Sequence, residues 1–166
     1  MRDEPGPGGG PRPVESVWDY PRPPRLEAVA ERVRVECGAR VLADTRTAIR
    51  VLETSHPPTY YLPVADIDMS ALERAVQTSY CEFKGMATYW SVRGGGPTLD
   101  GIAWSYAAAA GAFAQLRDHL AFYAVPELAC FVGAERVRAQ DGRFYGGWIT
   151  SWIAGPFKGR PGTEFW

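Results

Sequence analysis

The chain has 166 residues, of which 46% are hydrophobic and 13% aromatic, and its 18 basic and 19 acidic side chains leave a formal net charge of -1. That length fits one domain with an adequate core, and the charge balance offers no field to recruit nucleic acid or an anionic membrane. No apolar run approaches the roughly 20 residues of a membrane span, Met1-Arg-Asp-Glu-Pro5 lacks the apolar centre of a secretion signal, and Cys37, Cys81 and Cys130 form no Cys-x-x-Cys pair, so a cytoplasmic protein with reduced thiols and neither metal nor cofactor is expected.

From Asp3 to Pro24 the chain holds seven of its fourteen prolines and the run Gly8-Gly-Gly10. Such a composition buries too little apolar surface to offset the entropy of ordering. Residues 1–24 are therefore predicted as a disordered Pro/Gly-rich arm and residues 25–166 as a single domain. Within the arm, Val17-Trp18-Asp19-Tyr20 either docks on the domain or serves as a recognition segment.

Past Arg25 the apolar period is two. Val33, Val35 and Cys37 alternate with Arg32, Arg34 and Glu36, as in a half-buried strand, and Gly38-Ala39 turns the chain into a hairpin partner at Arg40 to Ala43. Ile49, Val51 and Glu53 share one face of the next strand. A carboxylate there needs a partner or a raised pKa, unless Glu53 is simply an ion-paired or solvated strand end. His56-Pro57-Pro58 interrupts the ladder, and Thr59 to Leu62 resumes it with one tyrosine inward and the other outward or at a rim. Ser70-Ala-Leu-Glu73 has capping-box spacing and predicts a helix of about two turns.

Met86 to Arg93 is the strongest strand pattern, with Met86, Thr88, Trp90 and Val92 on one face. Gly94-Gly-Gly-Pro97 ends it. Ile102, Trp104 and Tyr106 then form an aromatic wall, and alanine-rich 107–117 predicts a short helix that Gly111 weakens. Strands follow at 120–124 and 128–132, and Asp141-Gly142 suggests a hairpin before Phe144. The tail from Gly146 to Thr163 is too rich in tryptophan and phenylalanine to stay free in water, and is expected to wrap onto the sheet.

Few motifs name a reaction. The glycine run at Gly94 is not followed by Gly-Lys-Ser/Thr, so it is no phosphate loop. Asp66 and Asp68 sit two apart, as metal-holding carboxylates do, yet a loop-capping role fits them better. His56 and His119 are the only histidines, and neither has the neighbours of an acyl-transfer relay. Scattered arginines form no base-reading module. More telling is the density of functional groups from Glu53 to Trp90, where a carboxylate, tyrosines, a thiol and a lysine interrupt apolar surroundings. Cys81-Glu-Phe-Lys84-Gly85 is echoed by Gly155-Pro-Phe-Lys158-Gly159. In each, an apolar anchor precedes a cation and then a flexible backbone point. Lys84, nearer the thiol and the aromatic strands, is either a desolvated lysine suited to anion binding or proton transfer or one whose stem packs while its head reaches water.

Arg25-Leu-Glu27, Ala43-Asp-Thr45, Leu52-Glu-Thr54, Tyr60-Tyr-Leu-Pro63, Cys81 to Gly85, Tyr89-Trp90, Ala103-Trp-Ser-Tyr106 and Ala121-Phe-Tyr123 resemble, in order, the motifs of the bacterial and fungal domain-of-unknown-function family 427. Phe144 to Ser151 and Gly155 to Thr163 resemble the tail of its actinobacterial members. The chain departs from that pattern at Glu82, where a proline is expected, and at Ala107 to Ala110. The resemblance implies a small, mainly antiparallel β fold, β-tent or barrel-like, with one or two short helices. Its nucleotidyltransferase label comes with no catalytic residues to place here, and the paired cysteines of zinc-bearing β-tents are absent.

These readings converge on a small-molecule-binding protein or enzyme. Its cleft is expected to be lined by Glu53, Tyr61, Cys81, Lys84, Trp104, Tyr106 and Tyr123 and to take a small, anionic ligand. The alternative is a non-catalytic interaction module whose aromatic arm and tail meet a protein partner or a second copy; a nucleotidyltransferase stands on the family label only.

Overall fold

The computed structural model describes residues 12–93, 98–142 and 144–166. β1 (Glu15–Ser16) and β2 (Arg25–Ala28) precede the predicted hairpin, formed by β3 (Val33–Cys37) and β4 (Arg40–Thr45). In β3 every second residue is buried, as the alternation requires, and Gly38 closes the turn at a φ of 58°, a conformation without penalty only for glycine. Next come β5 (Ile49–Leu52), β6 (Thr59–Pro63), β7 (Leu72–Cys81), β8 (Gly85–Val92), β9 (Leu99–Ser105) and β10 (His119–Phe122). The chain ends with β11 (Ala129–Val132), β12 (Glu135–Arg136), β13 (Arg138–Ala139), β14 (Trp148–Ile149) and β15 (Ile153–Ala154).

A seven-stranded sheet in the order β2-β5-β6-β10-β9-β8-β7 carries the molecule, and a four-stranded sheet, β12-β11-β3-β4, packs against it. Both are antiparallel throughout their described ladders. The larger sheet is open, with β2 and β7 outermost, and among the described residues it closes into no barrel. Val33, Val35, Leu42, Leu62, Leu120, Phe122 and Cys130 fill the space between the sheets. The opposite face of the larger sheet is also apolar: Val51, Tyr61, Ala87, Trp104 and Ala121 pack there under Phe113 and Leu116. A sheet with both faces covered buries residues of both parities. This corrects the expectation for the tyrosine pair, since Tyr60 and Tyr61 point to opposite faces and each is only 1% exposed.

The tail packs as its composition demands. Trp148 is buried, stacks on Tyr60 with ring centroids 5.2 Å apart, and donates from Nε1 to the Phe122 carbonyl at 2.9 Å.

Four other expectations are corrected. The predicted arm is packed over its described part: β1 runs parallel to β15, Val17 is fully buried, and Trp18 Nε1 donates to the Pro156 carbonyl at 2.9 Å. Val17 to Tyr20 therefore docks, whereas residues 1–11 lie outside the described residues, as does the glycine run at 94–97. Arg50, only 3% exposed, anchors this segment by bonding Glu15 at 2.8 Å and Glu27 at 2.6 Å. The Ser70 helix is absent, because a single 3-10 turn at Met69–Ala71 leads directly into β7. The Ser70 hydroxyl is drawn back to Asp68 at 2.5 Å, and pairing with β8 outweighs the local capping pattern. Only Gly111–Leu116 coils in the 107–117 segment, since Gly111 at a φ of 59° cannot continue a right-handed helix from Ala107. Asp141-Gly142 makes no tight hairpin either. β13 pairs with β14 across the longer connection 140–147, which the Gln140 side chain braces by accepting from the Gly147 N–H at 3.0 Å.

Candidate functional site

The second apolar face opens at one end into a cleft of about 270 Å³. Strands β5, β6, β8 and β9 project Val51, Tyr61, Tyr89 and Trp104 into it, and Tyr106 and Tyr123 follow β9 and β10. The β7–β8 turn adds Cys81, Glu82, Phe83 and Lys84. The structure thus brings together all seven sequence-predicted residues, Glu53, Tyr61, Cys81, Lys84, Trp104, Tyr106 and Tyr123, in one lining. A neighbouring hollow of about 330 Å³ shares Tyr123, Gln140, Tyr145 and Gly146, but elsewhere its lining is mostly glycine and small apolar residues, with Asp100 its one charged member among the described residues. The first cleft is the richer of the two in convergent polar groups.

Aromatic contacts make its floor rigid. Trp104 lies 4.5 Å from the Tyr123 ring, and its Nε1 donates to the Tyr61 hydroxyl at 3.2 Å. Tyr123 in turn donates to the Phe144 carbonyl at 3.0 Å, and the Ser79 and Tyr89 hydroxyls are bonded at 2.9 Å. Burial pushes the Tyr61, Tyr106 and Tyr123 phenols above their ordinary range, so near neutral pH they are hydroxyls, able to donate and accept. Lys84 Nζ stands 5.4 Å from the Tyr106 ring centroid, within cation–π range. Cys81 is a half-buried free thiol.

Glu53 falls just beyond the end of β5, and its carboxylate pairs with Arg22 at 3.3 Å. The ion-pair reading of this residue therefore describes its contact, and it also lines the cleft. Asp66 and Asp68 do not. Asp66 accepts from the Thr45 hydroxyl at 2.7 Å, and Asp68 bonds Arg40 at 2.7 Å and Ser70, the loop role favoured for them.

Among the lining residues that sequence reasoning missed are His56, Gln140, Tyr145 and Lys158. A tight turn with Ser55 at a φ of 72° returns the chain from Glu53 to His56, whose N–H donates to the Glu53 carbonyl at 3.0 Å. Both chain ends clamp that turn, because the Ser55 N–H donates to the Val17 carbonyl at 3.1 Å and its carbonyl accepts from the Lys158 N–H at 2.8 Å. The signal for Lys158 was present, as its Phe-Lys-Gly triplet echoes that of Lys84 and both lysines line this cleft. Lys158 Nζ lies 5.6 Å from the Tyr145 ring centroid. The His56 ring meets Tyr145 edge-on at 5.1 Å. Burial, reinforced by Lys158, Arg22 and Lys84, pushes the His56 pKa down to about 4, so the ring is neutral near pH 7.

Gly146 faces the Trp104 indole so closely that an added Cβ would lie 2.0 Å from its ring. Gly146→Ala is expected to lose about 1–3 kcal/mol through overpacking. In urea titrations its unfolding midpoint should fall below that of the wild type.

An open, mainly antiparallel β domain with an aromatic, lysine-bearing cleft is the class of protein that this fold and site define. The chain belongs to the family described as a domain of unknown function (DUF427; NTP_transf_9), whose model matches residues 25–133. The comparison with curated proteins found no match.

Proposed function

We propose that the protein binds a small anionic organic molecule, its planar or apolar body lying against Trp104, Tyr106 and Tyr123 and its anionic group facing Lys84 and Lys158. The observation that carries this reading is the convergence of the two Phe-Lys-Gly lysines on one aromatic cleft. An amine near an aromatic face is partly desolvated, and an anion that reaches it forms a charge-assisted bond stronger than a neutral one. Phenol hydroxyls around the same space supply donors that fix orientation.

A thermal-shift screen of carboxylates and phosphates is the direct test. At least one is expected to raise the melting temperature of the wild-type protein. Lys84→Met keeps the stem and removes the charge, so it should fold normally and bind that ligand about tenfold or more weakly, the loss of a charged hydrogen bond worth about 1.5–3 kcal/mol. Unchanged affinity in Lys84→Met would place the anion elsewhere.

A further inference from the structure

We propose that His56, held by Gln140 as a neutral Nε2–H donor beside the Glu53 carboxylate, recognises a hydroxyl group on the bound anion, which makes the ligand a hydroxy acid. The proposal rests on the anion-binding reading above and names its substrate class.

Gln140 has its amide orientation dictated by two backbone groups. Its Oε1 accepts from the Gly147 N–H at 3.0 Å, and its Nε2 donates to the Lys158 carbonyl at 2.7 Å. The remaining N–H of that amide faces His56 Nδ1 at 3.2 Å. A donor on the amide requires an acceptor on the ring, so Nδ1 carries the lone pair and the proton resides on Nε2. Gln140 is 4% exposed, and with three partners it cannot reverse without losing them.

The other side of the ring is left open. Its Nε2 lies 3.7 Å from Glu53 Oε2, too far for a direct hydrogen bond and close enough for one oxygen to bridge them. The bridging group must accept from Nε2–H and donate to the carboxylate. A hydroxyl does both; a second carboxylate does only the first and would meet the Glu53 charge. The groups facing the ring are the cations Arg22, Lys84 and Lys158 and the anion Glu53, with the Tyr145 ring at its edge. Arg22 pairs with Glu53 at 3.3 Å. With the lysines on the same cleft, hydroxyl and anion recognition are separate functions of one ligand site.

The probes are 3-phenyllactate and 3-phenylpropionate, which differ only by the hydroxyl, titrated calorimetrically into the full chain. Phenyllactate is expected to bind at least about tenfold tighter. His56→Phe should abolish that preference while retaining phenylpropionate binding, and Lys84→Met should weaken both acids alike. Nitrogen-15 NMR of the imidazole supplies a readout that needs no ligand: a neutral Nε2–H ring from pH 8 to 6 in the wild type, and mixed tautomers in Gln140→Leu. Equal binding of the two acids by the wild type, or a preference that survives His56→Phe, overturns the proposal while leaving the anion reading in place. An Nδ1–H ring, or one that protonates near pH 6, overturns it without reference to any ligand. Failure of both acids to bind overturns the hydroxy-acid class and counts against the anion reading as well.

Discussion

Trp148→Ala is expected to lose about 3–5 kcal/mol of folding stability, the range for truncating a large buried aromatic. Three losses coincide at this site. The indole is 1% exposed, its stack on Tyr60 bridges the tail to β6, and its Nε1–H satisfies the Phe122 carbonyl inside the core. Alanine leaves a cavity and an unpaired acceptor together. Trp148→Phe separates the two effects by refilling most of the cavity while still orphaning the carbonyl, and should lose the smaller sum, about 1–3 kcal/mol. Guanidinium unfolding followed by circular dichroism measures both. A loss under about 1 kcal/mol in Trp148→Ala would mean that the tail contributes little to the fold.

The second large effect concerns Arg50, whose guanidinium is buried between Glu15 and Glu27. Glu15→Gln combined with Glu27→Gln leaves that cation desolvated without a counter-charge, at an expected cost of about 3–5 kcal/mol. Each single change keeps one carboxylate in place and should cost much less. Acid reaches part of the same state in the native sequence. Burial opposes ionisation of Glu15, but hydrogen bonds from Arg50 and Tyr20 outweigh it and hold its carboxyl below the usual range. A lowered folded pKa gives stability that is present above the unfolded carboxylate value and lost as pH falls through the folded one. The wild-type melting temperature should therefore drop on acidification below the ordinary carboxylate range, and more steeply than in the double variant. Parallel curves for the two proteins would remove Glu15 from the account.

Strand content was legible wherever one face of a strand is wet. β3 alternates because its outer face reaches water, and β8 announces itself through β-branched and aromatic density. Where both faces are covered, parity carries no information, and the tyrosine pair misled for that reason. The Ser70 helix failed because capping is a local signal, while β7 is held by a partner strand that lies beyond the reach of a local pattern. One wall of the cleft was readable from Glu53, Cys81, Lys84 and the aromatic strands, since unusual residue types interrupt an apolar pattern there. The opposite wall was not. His56 and Gln140 are 84 residues apart, and no periodicity links positions that only the fold joins.

The clamp on Ser55 joins the matched family segment to the sequences on either side of it. The turn that presents Glu53 and His56 lies inside the family segment, whereas Val17 and Lys158, which hold it from either side, lie outside residues 25–133. Gln140 and Tyr145 also fall beyond that segment. The matched segment thus contributes one part of the cleft lining, and the sequences flanking it contribute the other. Trp148 ties the same tail into the inter-sheet core, so a change of tail would bear on the stability of the whole domain as well as on the shape of the cleft.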